Sequence, residues 1–529
     1  MLTHPLATIL ITGATDGLGL ALARFWARHG WRERPPRLIL VGRKALADLD
    51  SAFFNADNYC RADLSQPDAP AQIADWLDAH EISQLDLLVH NAGLGYVGST
   101  GDQSADNVRQ LTTVNLETPM ALTHRLLERV AAAQGKIVYI SSVAAALPGP
   151  DYAVYAATKA ALNGFVRNLR IELAATPATR DVEVQLILPG AVNTGMHAKS
   201  GATLERMNWN RFPPADQVAA QIAAATESQR ATVTIGNLNR LVRFAAQNLP
   251  PLVDGAMRRA QKREAASPTR APQSPPHCVI TGAADGIGKA LAQRLAAAGY
   301  RITGLDFDAE RAKQTCQELT AAGADIEFIQ VNLAEQEELD RALEKLLAGP
   351  PVDLLIHNAG INAVGHFAQM AWPPQKAVLA VNLLAPLLLT RALLAADHLN
   401  AGGTVVCISS LSRFVGYPGA AVYAASKDGL ASYARSLSVA LAGQKINVLT
   451  VYPGPTRTAH ARRYSPDNSR ENRRMTPTEL ADRIANAIAK RQRTLIPGAG
   501  NQLFALAGQL APRLTEGVMK RAILDKMTR

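Results

Sequence analysis

Tyr155 and Lys159 stand in "YAATK", and Tyr423 and Lys427 in "YAASK", two nearly identical pentapeptides 268 positions apart. A phenol at its reference pKa of about 10 carries protons poorly at neutral pH, because general acid-base work wants a group poised near the operating value. Lowering it by about three units corresponds to about 4 kcal/mol of preferential stabilisation of the phenolate. A lysine four residues on shares a helix face with the tyrosine, and its ammonium is a source for much of that stabilisation. The alternative is an amphipathic helix that carries the spacing by chance, which spacing alone does not exclude. Ser142 and Ser410 each precede the tyrosine by thirteen residues and end an apolar run, where a hydroxyl would face the edge of a sheet. Asn115 in "VNLETP" and Asn382 in "VNLLAP" occupy matching helical stretches.

The elements that must hold these residues are themselves duplicated. "ILITGATDGLGLALARFWARHG" returns as "CVITGAADGIGKALAQRLAAAGY", "LDLLVHNAG" as "VDLLIHNAG", and "KIVYISS" as "TVVCISS", at an offset that stays between 264 and 269. Two whole domains are repeated, not a short solenoid unit. Four prolines and small polar residues in "EAASPTRAPQSPP" mark a linker at 264–276, between a first domain at 1–263 and a second at 277–529. Within each copy, apolar runs such as "TILIT", "RLILV" and "DLLVH" alternate with longer stretches of helical period. Strands apolar along their whole length predict parallel sheets covered by helices on both faces, a doubly wound, Rossmann-type α/β domain occurring twice.

The loop after the first strand of each copy is rich in glycine: Gly13, Gly17 and Gly19 around Leu18, then Gly282, Gly286 and Gly288 around Ile287. Glycine permits the tight turn and lets backbone N–H groups approach a pyrophosphate at the positive end of the following helix. The end of the second strand then separates the copies. Gly42, Arg43 and Lys44 offer no ribose-binding carboxylate but two cations suited to a 2'-phosphate, which predicts NADP for the first copy. Asp306 stands at the corresponding strand end of the second copy, where a carboxylate accepts from both ribose hydroxyls, and predicts NAD. The competing readings are a solvated Arg43/Lys44 pair and a helix-capping Asp306. Asp16 and Asp285, inside the glycine loops, add no cation.

With these motifs together, the chain resembles the short-chain dehydrogenase/reductase family, twice over and across about 500 residues: TGxxxGxG, NAG, the mid-domain Asn, the Ser thirteen before YxxxK, and PG after the sixth strand. The resemblance implies that Tyr155 and Tyr423 act as general acid or base at the reacting oxygen, while Ser142 and Ser410 hold the substrate carbonyl or hydroxyl. Lys159 and Lys427 would bind the nicotinamide ribose, and Asn115 and Asn382 would keep a water for proton relay. Asn91, Ala92 and Gly93, with Asn358, Ala359 and Gly360, would line the adenosine side of the cofactor. Asp63 matches the family residue that contacts adenine, with Asn332 replacing that acid in the second copy. Pro189-Gly190 and Pro453-Gly454 complete each cofactor site. Both tetrads are intact, so the expected protein is a bifunctional NAD(P)-dependent oxidoreductase interconverting alcohols and ketones, as an oxidation/reduction pair, a stereoinversion, or two sequential or unrelated reductions. The alternative is one catalytic copy and one scaffold. Relatives often pair through the YxxxK helices, so pairing of the two domains within the chain, or a homo-oligomer, is expected.

Composition narrows the partners. A balance of 48% hydrophobic and 19% charged residues belongs to a globular chain, not a disordered one. The start runs straight into a structural motif, so a cytoplasmic address is expected by default. Cys60, Cys278, Cys316 and Cys407 show no CxxC spacing, and neither a disulfide framework nor a metal site is predicted. The net charge of +10 is concentrated in two tails: residues 237–270 hold seven basic and two acidic side chains, residues 499–529 five and two. No basic stripe with interleaved aromatics emerges, so nucleic acid is not an expected partner.

After each PG comes the segment that forms a substrate lid in relatives. The first carries Met196, Met207, Trp209 and Phe212 and suits an apolar substrate. The second carries Arg457, Arg462, Arg463, Arg470, Arg473 and Arg474 and suits an anionic group, unless these cations are simply solvated. Both copies then continue into leucine- and alanine-rich helices with basic ends. Such helices more often pack on their own domain or a neighbour; a membrane surface, or closure over a greasy substrate, is the second reading.

Overall fold

The computed structural model describes residues 6–196, 211–264, 275–465, 467–469 and 471–527. Two seven-stranded sheets account for the repeat. The first contains β1 (Ala7–Thr12), β2 (Pro36–Gly42), β3 (Tyr59–Arg61), β4 (Leu87–His90), β5 (Lys136–Ile140), β6 (Glu183–Leu188) and β7 (Thr232–Thr234). The second contains β8 (His277–Thr281), β9 (Arg301–Asp306), β10 (Ile326–Gln330), β11 (Val352–His357), β12 (Leu399–Ile408), β13 (Asn447–Val451) and β14 (Thr494–Leu495). Their orders are β3-β2-β1-β4-β5-β6-β7 and β10-β9-β8-β11-β12-β13-β14, and every pairing is parallel. Strand order reverses beside β1 and β8, and the crevice at that switch point, at the carboxyl ends of the strands, is where ligands bind in open parallel sheets.

Helices cover both faces because the strands are apolar on both. Trp26 and Leu22 pack on one face of the first sheet, while Tyr139 and Phe165 lie on the other, all fully buried. The glycine-loop helices Gly17–His29 and Gly286–Ala296 start alike: Asp16 and Asp285 each accept the backbone N–H of the next residue at 2.7 Å. These two acids are helix caps.

On their outer faces the two sheets keep separate cores, whereas the cores on their facing sides merge into one. The helices Ala153–Ala175 and Ala421–Ala440, which carry Tyr155 and Tyr423, lie against each other at its centre. They run antiparallel: Arg167, in the second half of one, reaches Asp428 at the start of the other at 3.2 Å. Phe165 meets Phe367 edge to face at 5.0 Å across the same contact. The stretch Trp372–Ala395 is long and apolar enough to cross a membrane by length and composition, but most of it is buried here as part of this shared core. The linker proposed from sequence lies mostly in residues 265–274, outside the described residues.

Candidate active site

Each tetrad is assembled at the carboxyl edge of its sheet, with the same bonds in both copies. Lys159 donates from Nζ to the Ile140 carbonyl at 3.1 Å, and Lys427 to Ile408 at 3.0 Å, which fixes each ammonium at the end of the fifth strand of its sheet. The Nζ atoms sit 6.0 and 5.8 Å from the ring centroids of Tyr155 and Tyr423. Ser142 and Ser410 hydrogen-bond to the tyrosines, and each also accepts a backbone N–H two residues on, from Ala144 at 3.1 Å and Ser412 at 3.2 Å. Ser141 and Ser409 tie the strand end to the helix through the Lys159 and Lys427 carbonyls.

Asn115 and Asn382 lie in single π-turns, Thr113–Glu117 and Ala380–Leu384, that interrupt a longer helix in each copy. Such turns mark functional positions in many helices. Each amide clamps the residue after NAG: Asn115 accepts from Leu94 N at 2.8 Å and donates to its carbonyl at 2.9 Å, and Asn382 holds Ile361 at 2.9 Å in both directions. The sequence reading missed the partner of this clamp. Thr158 and Ser426, just before the lysines, accept the remaining amide N–H at 3.2 and 3.1 Å. A signal was available, since both pentapeptides place a hydroxyl there.

Electrostatics run against the simplest expectation. Burial pushes the Tyr423 phenol up to about 12 and raises Tyr155 as well, and the serine hydrogen bonds offset only part of it. Burial likewise lowers both lysines to about 8. In the protein alone, desolvation therefore outweighs the neighbouring ammonium, and a low tyrosine pKa needs further positive charge near the phenol.

A cleft of about 900 Å³ opens over the first sheet, lined by the glycine loop with Leu18, by Arg43 and Asp63, by Ala92 and Gly93, by Pro189 and Gly190, and by Tyr155 and Lys159. The turn between the first strand and its helix is packed too closely for side chains at its glycines. Gly13 and Gly282 take φ of +68° and +66°, and a Cβ on Gly19 or Gly288 would lie 2.1 or 1.8 Å from the Gly13 or Gly282 carbonyl oxygen. Asn91 lines the first cleft, and both Asn91 and Asn358 direct their amides at the glycine loop, donating to the Thr12 and Thr281 carbonyls, both at 3.0 Å. Their role is to hold the loop. Asp63 and Asn332 each cap a turn, accepting from Ser65 N at 3.0 Å and Ala334 N at 3.1 Å.

Strand register equates Gly42 with Asp306, because Val41 pairs with Thr12 as Leu305 pairs with Thr281. A Cβ on Gly42 would fall 2.4 Å from Thr15 Cγ2, so the first copy has no room for a side chain there. In the second copy Ala284 replaces Thr15, and its N–H donates to Asp306 Oδ2 at 2.9 Å. Exposed Arg43 and exposed Phe307 occupy equivalent positions, one after each. Pro453 accepts the Leu411 N–H at 3.2 Å, and Gly190 and Gly454 leave space for Asn239 and Asn501 of the following helices.

The lids divide differently. Met196 lines the first cleft beside Met257, which comes from the helix Pro250–Glu264 and was not anticipated as a site residue. Met207 and Trp209 lie outside the described residues, as does Arg470. In the second lid, Arg457 donates to the Asn472 carbonyl at 2.7 Å, Arg474 to Ser465 Oγ at 2.9 Å and the Asp467 carbonyl at 2.8 Å, and Arg462 pairs with Glu471 at 3.5 Å. These three cations hold the loop's own shape, while Arg463 and Arg473 stay exposed.

A profile described as short chain dehydrogenase matches residues 7–205 and 276–469. The 3-oxoacyl-[acyl-carrier-protein] reductase FabG of Aquifex aeolicus is 33% identical over 33% of this chain and 72% of its own length. Dehydrogenase/reductase SDR family member 7B of Rattus norvegicus is 32% identical over 42% of this chain and 67% of its own. Among solved structures, a putative NAD(P)-dependent gluconate 5-dehydrogenase from Beutenbergia cavernae, with bound NADP, is 28% identical over 44% of this chain and 98% of its own, with a TM-score of 0.41.

Proposed function

The chain belongs to the short-chain dehydrogenase family and is an NAD(P)-dependent oxidoreductase acting on CH–OH and C=O groups, and from that premise we propose that both copies, 1–263 and 277–529, turn over. What supports this most is the bond-for-bond agreement of the two tetrads, down to the Asn clamp and the lysine–carbonyl anchor. A copy kept only as a scaffold needs none of these bonds.

The glycine loops fit a dinucleotide: Gly13, Gly17 and Gly19 line the first cleft, and the close approach of loop and helix at Gly19 and Gly288 leaves no space for a Cβ. When bound, the nicotinamide supplies or takes up the hydride. The remaining chemistry falls to this chain. Tyr155 or Tyr423 passes a proton to or from the substrate oxygen, and Ser142 or Ser410 orients that oxygen by hydrogen bonding. Lys159 or Lys427, anchored on a strand carbonyl, would bind the cofactor ribose, and its ammonium favours the phenolate.

The first copy takes NADP and the second NAD. Exposed Arg43 beside a side-chain-free Gly42 suits a 2'-phosphate, and Asp306 repels one. Met196 and Met257 favour an apolar substrate in the first site. With two cofactors on one chain, oxidation at one site can be paired with reduction at the other, and on a single carbinol carbon the pair would invert its configuration. Titration with NADPH and NADH of the wild type, Arg43→Ala and Asp306→Ala tests the split: one equivalent of each binds, and each variant loses only its own. If both copies take the same cofactor, the paired reading is wrong. Absence of exchange between alcohol epimers with both cofactors present would remove the inversion alone.

A further inference from the structure

Ten of the thirteen exposed large apolar side chains among the described residues lie in the two C-terminal extensions. Both extensions start in the same way, at a glycine of positive φ (Gly236 at +87°, Gly498 at +91°) followed by an asparagine whose amide donates back to the chain at 2.7 Å. From there Leu241 and Phe244 in the helix Asn237–Asn248, and Leu503, Leu506 and Leu510 in the helix Ala499–Leu510, point outward, between 49% and 77% exposed. Leu252, and on the other side Leu514 and Val518, continue each stripe into the next helix.

These helices are not simply unpacked. Their inner faces are tightly seated: Ala246 and Ala505 are buried, and a Cβ on Gly508 would strike the Phe414 carbonyl oxygen at 2.4 Å. Arg435, from the second copy, fastens the first extension through the Ala246 carbonyl at 3.0 Å and Asp254 at 2.7 Å. An amphipathic helix with a filled inner face and a bare outer one presents that outer face to something else.

We propose that the two extensions dock the protein onto an anionic lipid surface. The same two segments hold eight of the ten surplus positive charges of the chain. Exposed Arg240 and Arg259 flank one apolar stripe, and exposed Arg521 flanks the other. Leucine stripes rimmed by cations match a layer of acyl chains under acidic headgroups. A second copy of this chain fits less well, because both stripes carry the same sign of charge and would repel when brought together.

The test is flotation of the full-length protein with vesicles of phosphatidylcholine alone and of phosphatidylcholine with phosphatidylglycerol. Partition is expected to be about tenfold stronger onto the phosphatidylglycerol vesicles and to weaken at high salt. Leu241→Glu with Leu510→Glu removes it; both side chains are well over half exposed, so the thermal midpoint should hold. Arg259→Glu with Arg521→Glu abolishes the preference for acidic vesicles without touching the stripes. Failure to float with either vesicle, equal binding to both, or binding unchanged in the leucine variant would overturn the proposal. So would concentration-dependent self-association that the leucine variant abolishes in a protein that binds no vesicle, which would assign the stripes to a second copy.

Discussion

Glu172, near the end of the Tyr155 helix in the first copy, accepts the backbone N–H of Gly419 in the second at 2.7 Å, and that of Phe367 at 2.9 Å. Gly419 lies four residues before Tyr423, and its carbonyl accepts from Gly365 in the loop after NAG. One carboxylate thus ties together two loops that flank the other copy's tetrad. Asn168, one turn earlier, accepts the Tyr417 N–H at 2.6 Å. The equivalent positions in the Tyr423 helix are Ser436 and Ala440, so this brace runs in one direction only.

Removing the brace by Glu172→Ala leaves two backbone donors without their acceptor, and the loss of stability should be about 2 kcal/mol or more. Turnover at the second site should fall while the first is spared. Denaturant unfolding, with NADH- and NADPH-linked rates measured separately, reads both.

The same carboxyl predicts a pH dependence. Burial raises Glu172 to about 7, above its ordinary value near 4.5, despite the N–H groups that favour its charged form. The native state therefore binds more protons than the unfolded one between those values. Its stabilising contribution is complete below about pH 4.5 and is lost as the pH rises through about 7. Glu172→Gln, which cannot titrate, should flatten that part of the stability profile; an unchanged slope would assign it to other groups.

Much of this architecture was legible because it is written twice. The doubly wound parallel sheets and the glycine loops follow from apolar runs and turn chemistry, and a chance YxxxK became untenable once Ser, Asn and NAG recurred at matched offsets. What stayed hidden depends on contacts between distant segments. Nothing local marks Glu172 as a brace for residue 419, or Met257 as a lining of the first cleft. The bonds of Arg457, Arg462 and Arg474 within the lid stayed hidden for the same reason: a run of arginines does not show which nearby carbonyl, hydroxyl or carboxylate each one meets.

Cofactor choice should depend on a pair of positions. Gly42→Asp alone drives the new Cβ into Thr15, so it should weaken binding of both dinucleotides. Thr15→Ala with Gly42→Asp reproduces the Ala284/Asp306 arrangement and should shift the first site towards NAD by about tenfold or more, the scale of one charge-assisted hydrogen bond. Fluorescence titration with NADH and NADPH is sufficient to see it.

Tyr155→Phe and Tyr423→Phe should each lower one cofactor-linked activity by about a hundredfold or more, as expected for loss of a general acid or base, and leave the other intact. Cofactor binding should survive in both. If both single variants retain every activity tested, the two-site reading needs replacing.

The contact between Arg167 and Asp428 offers a test of how far the copies depend on each other. Asp428 is almost wholly buried beside Lys427, and its carboxylate is met by Arg167 at 3.2 Å and, more distantly, by Arg413 at 3.9 Å. Arg167→Met leaves that charge with only the weaker partner, so unfolding should become easier by about 3 kcal/mol. Asp428→Ala copies the first helix, where Ala160 holds the equivalent position, and should cost less, because the partly buried guanidinium it frees keeps its bonds to the Ser412 and Arg413 carbonyls. The double variant should then sit close to Asp428→Ala, giving a coupling of about 3 kcal/mol, the size of the Arg167→Met loss. Because Asp428 follows Lys427 directly, Arg167→Met should also lower kcat at the second site and leave the first unchanged. Equal losses at both sites would mean that the pair only holds the two copies together, while no coupling would mean that the merged apolar core does so without it.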